Sequence, residues 1–111
     1  MVEYLVGNLT ADPELRYTSS GKAVASLRVA VNERHQNAEG KWVNGEAKFY
    51  DVAVWDDQAE RAANQMCKGD RVLAVGYTKI RSWTDKEGNE HSAQEFVAQD
   101  IGHSLKFELK R

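Results

Sequence analysis

The amino-acid sequence predicts an all-β fold, a small barrel of five strands with one short helix between the third and the fourth strand. Two observations carry this prediction. Apolar and polar residues alternate with period two in several segments, and this alternation indicates half-buried strands. One segment only, residues 57–67, repeats its apolar residues at helical spacing instead.

The first two predicted strands lie in the N-terminal third of the chain. Residues 3–9 mix β-branched and aromatic side chains and run into a turn around Pro13, the only proline. A second turn cluster at residues 18–22 precedes the alternating segment 23–32. In that segment Ala25, Leu27, Val29 and Val31 share one face, which we expect to be buried.

The other three strands flank the helix. Residues 33–46 are polar and contain two glycines, so they predict a long hairpin loop before the strand at 48–55. After the helix, residues 70–83 return to period two. Residues 84–90 then predict a hairpin turn, and residues 91–101 form the last strand.

The predicted helix has a narrow apolar stripe of small residues and should cover one end of the barrel. Asp56 or Asp57 is available as N-cap, and Lys68 with Gly69 forms a stop signal. The stripe consists of Ala59, Ala62, Ala63, Met66 and Cys67.

Three strands, a helix and two strands are the order of an OB-fold, a five-stranded Greek-key barrel whose face and loops bind oligonucleotides or oligosaccharides. A β-grasp or another small α+β fold also holds five strands and one helix, but usually places the helix elsewhere. The length of 111 residues predicts a single domain, 1–111, with 106–111 as a short terminal extension.

Composition excludes several classes of protein. Hydrophobic residues make up 41% and charged residues 29%, as in ordinary globular domains. The sequence has no membrane-spanning apolar run and no secretory signal, so we expect a cytoplasmic protein. The single cysteine, Cys67, excludes an intrachain disulfide and is expected to be a buried thiol, with a bridge to a second copy as the alternative.

The residues that could carry catalysis form no recognisable pattern. His35, His91 and His103 lack metal-ligand spacing, and no phosphate-binding glycine motif or nucleophile motif occurs. We therefore expect no enzyme activity, no metal and no cofactor.

Aromatic and cationic residues alternate on two predicted strands. Phe49 and Trp55 share a face of one strand, while Lys79, Arg81 and Trp83 share a face of another. Single-stranded nucleic acid is bound by such a pattern, because cations contact its phosphates and its unpaired bases stack on rings. The alternatives are tryptophans buried in the core or an interface, and a solvated outer face for the cations.

Five short strings resemble the bacterial single-stranded DNA-binding proteins, in order from about residue 3 to residue 105. The resemblance implies an OB-fold that assembles as a homotetramer and wraps single-stranded DNA without sequence specificity. The strings are Val6-Gly7-Asn8-Leu9, Asp12-Pro13-Glu14-Leu15-Arg16-Tyr17, Gly21-Lys22-Ala23-Val24-Ala25, Lys68-Gly69-Asp70-Arg71-Val72 and Arg81-Ser82-Trp83-Thr84-Asp85.

The resemblance also assigns site residues. Trp83, Phe49 and Trp55 match stacking positions, Lys79 and Arg81 match backbone-binding positions, and a further family tryptophan falls at His35 or nearby at Trp42. Asp51 stands where some members have a basic residue. The predicted site comprises Phe49, Trp55, Trp83 and Trp42 for stacking and Arg28, Arg34, Lys48, Lys79 and Arg81 for phosphates.

The net charge and the C-terminus bear on what the chain is expected to bind. Its formal net charge is −2, so binding should depend on stacking more than on a basic total. The resemblance implies a longer chain with an acidic-tipped tail that recruits replication and repair proteins, whereas residues 106–111 here close on a basic end, Lys110-Arg111, so the sequence gives no support for such partners. The sequence leaves open a naturally tail-less protein or a shortened core, and an OB-fold protein-interaction or primosomal accessory module is the alternative function.

Overall fold

The computed structural model describes residues 2–109 of the chain. Six strands and one helix are present in this range. They are β1 (Glu3–Leu9), β2 (Glu14–Tyr17), β3 (Ala23–Gln36), β4 (Trp42–Trp55), α1 (Asp56–Gln65), β5 (Arg71–Thr84) and β6 (Glu90–His103).

The strands form one sheet that closes into a barrel. Its order is β1-β5-β6-β4-β3-β2, and β1 also pairs with β3 at Asn8 and Leu9, which joins the first and fifth strands of that order. The pairs are antiparallel except β4 with β6, which run parallel. The predicted OB-fold barrel of five strands is confirmed, and the helix lies between its third and fourth strands, now labelled β4 and β5.

Strand β2 is an addition that the sequence pattern does not reveal. It pairs with the start of β3, from Tyr17 opposite Ala23 to Glu14 opposite Ser26. All four of its residues are exposed, so the alternation of apolar and polar residues that marks a half-buried strand is missing.

The expected long loop over residues 33–46 is wrong. β3 continues to Gln36 and β4 begins at Trp42, which leaves only residues 37–41 as the turn. There Asn37 Oδ1 accepts hydrogen bonds from the backbone N–H groups of Glu39 and Lys41, at 2.9 and 3.0 Å. Both strands extend past the barrel as a hairpin arm, whose largely exposed residues show no apolar alternation.

A β-bulge in this arm changes which side chains share a face. Asn32 pairs with Ala47 and Arg34 with Asn44, so three steps along β4 match two along β3. Trp42 thereby comes to the same side of the sheet as Phe49, although their positions differ by seven and a regular strand would place them on opposite sides. Gly45 lies inside the bulge, where a Cβ atom would approach the carbonyl oxygen of Glu33 to 2.8 Å.

The barrel interior is filled mainly by aliphatic side chains together with the ring of Phe96, and α1 packs against β2, β3 and β4. Ala59 and Ala62 of the helix are buried, and their small size permits close packing of the helix on the barrel end. Leu27, Val29 and Ala25 are buried as the alternation predicts, and Val31 packs against the core.

The structure differs from the prediction at both ends of the helix and at the C-terminal end of the last strand. The helix ends at Gln65 rather than at residue 67. Its N-cap is Trp55, and neither Asp56 nor Asp57 caps it; both lie in the first turn, where a carboxylate interacts favourably with the helix dipole. The last strand extends two residues past Ile101, to His103.

A second β-bulge lies in β6, opposite Gly76 of β5, and only glycine fits at that position. Val75 pairs with Asp100 and Gly76 with Ala98, which leaves Gln99 as the extra residue of β6. A Cβ atom on Gly76 would lie 1.8 Å from the carbonyl oxygen of Val97, so any side chain there must displace the backbone.

We expect Gly76→Ala to lower the free energy of unfolding by at least about 1–3 kcal/mol, the usual cost of overpacking. Gly102→Ala is the matched control, because a Cβ atom at Gly102 would meet nothing within 4 Å. Urea unfolding at a fixed protein concentration, followed by circular dichroism, measures both variants. Equal stability of the two would contradict the close approach at Gly76.

Candidate nucleic-acid interface

Strand register places the predicted aromatic and cationic residues on one continuous surface. Directly paired residues point to the same side of a sheet. In β3 and β4, Arg28 pairs with Asp51 and Val24 with Trp55. The same side continues into β6 through the pairing of Ala53 with Val97.

The surface continues from β6 to β5, where three directly paired positions complete it. We call it the ring-cation face. In β6 and β5 it presents Glu95 opposite Lys79, Ala93 opposite Arg81 and His91 opposite Trp83. In β2 to β4 it presents Arg16, Arg28, Phe49, Asp51 and Trp55, and the β3–β4 arm adds Arg34 and Trp42.

The four predicted stacking residues all lie on this face. Phe49, Trp42 and Trp83 are 52%, 59% and 42% exposed, whereas Trp55 is half-buried. Exposed flat rings of this size are costly on a surface that meets only water, because their apolar area stays hydrated. They are therefore available to a ligand with flat apolar faces.

The ring of Trp83 has two close neighbours. The ring of His91 stacks on it at a centroid distance of 5.5 Å and an interplanar angle of 21°. The guanidinium carbon of Arg81 lies 4.9 Å from the Trp83 ring centroid, within the range of a cation–π interaction. The two neighbours restrict the orientation of the indole while it remains partly exposed.

The turn beside Trp83 is fixed by Asp85. His91 Nε2 lies 2.7 Å from Asp85 Oδ2, and Asp85 Oδ1 accepts hydrogen bonds from the N–H groups of Glu87 and Asn89. The hydrogen bond with His91, followed by those from the backbone, lowers the pKa of Asp85 below its ordinary value. The end of the β5–β6 hairpin is thus held by an ionised carboxylate.

Phe49 is arranged in a similar way. The guanidinium carbon of Arg28 lies 5.2 Å from the Phe49 ring centroid, and Arg28 Nη1 donates a hydrogen bond to Asp51 Oδ1 at 3.0 Å. Ring, cation and carboxylate therefore occur together at both Phe49 and Trp83. This arrangement can stack a flat ring and hold an anion beside it.

One predicted cation, Lys48, lies off the ring-cation face, and one further cation, Arg16, lies on it. Lys48 pairs with Val31 in register and therefore points away from the ring-cation face; its Nζ lies 3.3 Å from Glu33 Oε1. Arg16, which the sequence analysis did not select, lies on the face through its pairing with Val24. The only sequence signal that could have found Arg16 was recognition of β2 as a strand.

A shallow groove of about 350 Å³ crosses the face between β2 and β5. Its lining is both basic and acidic, so the face is not a uniformly positive surface. The charged residues of the lining are Arg16, Arg28, Arg81, Asp12, Glu14, Asp51 and Glu95.

The remaining candidate residues lie elsewhere. Cys67 is half-buried, and its Sγ donates a weak hydrogen bond to Asp70 Oδ1 at 3.7 Å. Within residues 2–109, no three His, Cys, Asp or Glu side chains gather closely enough to hold a metal ion. Among the same residues, no helix is both long and apolar enough to cross a lipid bilayer.

Fold and surface together define the class: an OB-fold barrel that presents exposed rings and cations on one face. The profile of the Single-strand binding protein family matches residues 3–104. The chain belongs to this family, as its sequence strings indicate.

Relatives with established names support the assignment. A single-stranded DNA-binding protein of Corynebacterium glutamicum is 45% identical over 104 residues, which are 93% of this chain and 46% of that protein. Those of Mycobacterium leprae and Mycolicibacterium smegmatis are each 42% identical over 93% of this chain. The chain spans 46%, 62% and 63% of the lengths of these three relatives.

A solved structure has the same architecture. The crystal structure of the small single-stranded DNA-binding protein from Streptomyces coelicolor matches with a TM-score of 0.75 and 27% sequence identity. The match covers 95% of this chain and 94% of that chain.

Proposed function

We propose that this chain is a single OB-fold domain that binds single-stranded DNA without sequence specificity and performs no chemical reaction. The observation that carries the proposal is the ring-cation face, on which Phe49, Trp55 and Trp83 lie among Arg28, Lys79 and Arg81. Family membership and the names of the relatives support the same ligand.

The proposed mechanism combines stacking with phosphate contacts. Unpaired bases stack on the rings of Phe49 and Trp83, and each stacked base contributes about 1–3 kcal/mol. Trp55 is half-buried and offers a smaller surface, and Trp42 extends the path along the β3–β4 arm. Because every base has a π face, such binding does not depend on sequence.

Phosphate contacts are assigned to Arg28, Arg34, Lys79 and Arg81, with Arg16 as an addition from the structure. The role of Lys48 remains a prediction from the sequence, and its orientation away from the face does not support it. We infer that the protein coats exposed strands in the cytoplasm, at the nucleoid, during replication, recombination and repair.

We further propose that the chain assembles as a homotetramer on which the strand is wrapped. An apolar surface that adjoins the ring-cation face on the same side of the sheet supports self-association: Tyr4 is 82% exposed, and Leu73, Val75 and Tyr77 of the neighbouring strand are 43%, 39% and 42% exposed. Tyr4 lies opposite Val75 on the same side of the sheet. Residues 3–6 of β1 pair only with β5 within the described range, so their other edge offers unpaired backbone groups to a partner.

Titration with oligo-dT, followed by tryptophan fluorescence, tests the proposed function. We expect quenching, because the tryptophans lie on the binding face. Trp83→Ala should weaken binding by about 1–3 kcal/mol with little change in salt dependence, whereas Arg81→Ala should reduce the slope of log K against log salt by about 0.7.

Phe107→Ala is the control for loss of an exposed ring, since Phe107 is 62% exposed and lies outside the face. Absence of oligo-dT binding by the unmodified protein would refute single-strand binding. It would favour a protein-interaction module instead.

Native mass spectrometry tests the homotetramer. We expect the mass of four chains for the unmodified protein and smaller species for Tyr4→Glu, because a charge buried in an apolar interface is costly. Leu105→Glu is the control, since Leu105 is 94% exposed and lies outside the apolar surface. A monomer as the main species of the unmodified protein would contradict the proposal.

A further inference from the structure

The cations of the ring-cation face are already close to carboxylates within the chain. Glu95 lies between two of them: its Oε1 is 4.0 Å from Lys79 Nζ, and its Oε2 is 3.7 Å from Arg81 Nε. Asp51 accepts a hydrogen bond from Arg28 at 3.0 Å. A phosphate that binds any of these three cations therefore enters a space that a carboxylate also faces.

Glu95 differs from Asp51 in its burial. Its side chain is 16% exposed, whereas the side chains of Asp51, Lys79 and Arg81 are 56%, 46% and 52% exposed. An exposed carboxylate such as Asp51 can turn into solvent when a phosphate arrives. Glu95 is largely buried and has little room to turn away, so its carboxylate stays beside Lys79 and Arg81.

The position of Glu95 makes phosphate binding at Lys79 and Arg81 costly. A phosphate oxygen at charge-assisted hydrogen-bond distance from Lys79 Nζ or Arg81 Nε lies at most about 7 Å from the nearer carboxylate oxygen of Glu95. That distance is shorter than the Debye length of about 8 Å at physiological salt, so the repulsion is only partly screened.

The two forms of DNA respond differently to this fixed charge. A single strand is flexible: while its bases stack on Phe49 and Trp83, it can place its phosphates on the sides of Lys79 and Arg81 that point away from Glu95. A duplex is stiff, keeps its bases paired and presents its phosphates outermost. It must bring phosphates to Lys79 and Arg81 without the compensation of stacking.

We propose that Glu95 is a selectivity residue that excludes double-stranded DNA from the ring-cation face. The inference deepens the proposed function and rests on it. Glu95 does not add affinity for single strands. It lowers the affinity for ligands that offer phosphates alone.

The test compares Glu95→Gln with the unmodified full chain. Fluorescence anisotropy, at physiological salt, measures affinities for labelled oligo-dT and for a labelled duplex of equal length. We expect duplex affinity to rise about tenfold and oligo-dT affinity to change less than about threefold, since like-charge juxtaposition is a strong source of discrimination. Unchanged duplex affinity, or an equal rise for both ligands, would overturn the inference.

Three further variants separate charge from shape. Glu95→Ala removes the same charge with a different side chain and should show the same loss of selectivity. Glu95→Asp keeps the charge and should retain selectivity. Glu108→Gln is the matched control for net charge, because Glu108 is exposed and lies outside the face. Circular dichroism checks the fold of each variant, and a duplex gain equal to that of Glu95→Gln in the Glu108 control would also overturn the inference.

Failure of the inference and failure of the proposed function are distinguishable. If the unmodified protein does not bind oligo-dT, the proposed function and the inference fall together. If it binds oligo-dT but Glu95→Gln leaves the ratio of the two affinities unchanged, only the role of Glu95 is refuted.

Discussion

The register of the paired strands is the constraint on which the rest of the structure depends. Side chains alternate between the two sides of a strand, so a slip of one residue would exchange the buried and exposed sets. In β3 and β4, one register buries Val29 and Val52 and presents Arg28 and Phe49 outward. The core and the ring-cation face are therefore two sides of the same pairing. The bulge around Gly45 reverses once the side to which successive residues of β4 point. Trp42 of the arm therefore also lies on the ring-cation face.

Charge on this face is balanced rather than maximised. The chain has 15 basic and 17 acidic residues, and Asp51 and Glu95 lie among the cations of the proposed site. At Arg28, Lys79 and Arg81 a phosphate would compete with a carboxylate already in place. In the proposed function, affinity therefore comes largely from the exposed rings of Phe49 and Trp83. This explains how a chain with a net charge of −2 can be assigned a nucleic-acid ligand.

The sequence predicts the parts of the structure where burial differs between the two sides of an element. The alternation over residues 23–32 predicts β3 and its core side, and the helical spacing of Ala59 and Ala62 predicts α1. The alternation gives no signal where both sides of a strand meet solvent, as in the β3–β4 arm and in β2. For this reason the sequence pattern does not reveal that Arg16 lies on the ring-cation face. The fixed position of Glu95 between Lys79 and Arg81 depends on pairing between β5 and β6, which no local pattern records.

We propose that the ring-cation face, and no other surface, holds the single strand. Ultraviolet cross-linking of the unmodified protein to oligo-dT, followed by mass spectrometry of the linked peptides, tests it directly. The exposed ring of Phe107, which lies outside the face, serves as an internal control. We expect cross-links at Phe49 and Trp83 and none at Phe107. Cross-links at Phe107 with none at Phe49 or Trp83 would show that another surface holds the strand.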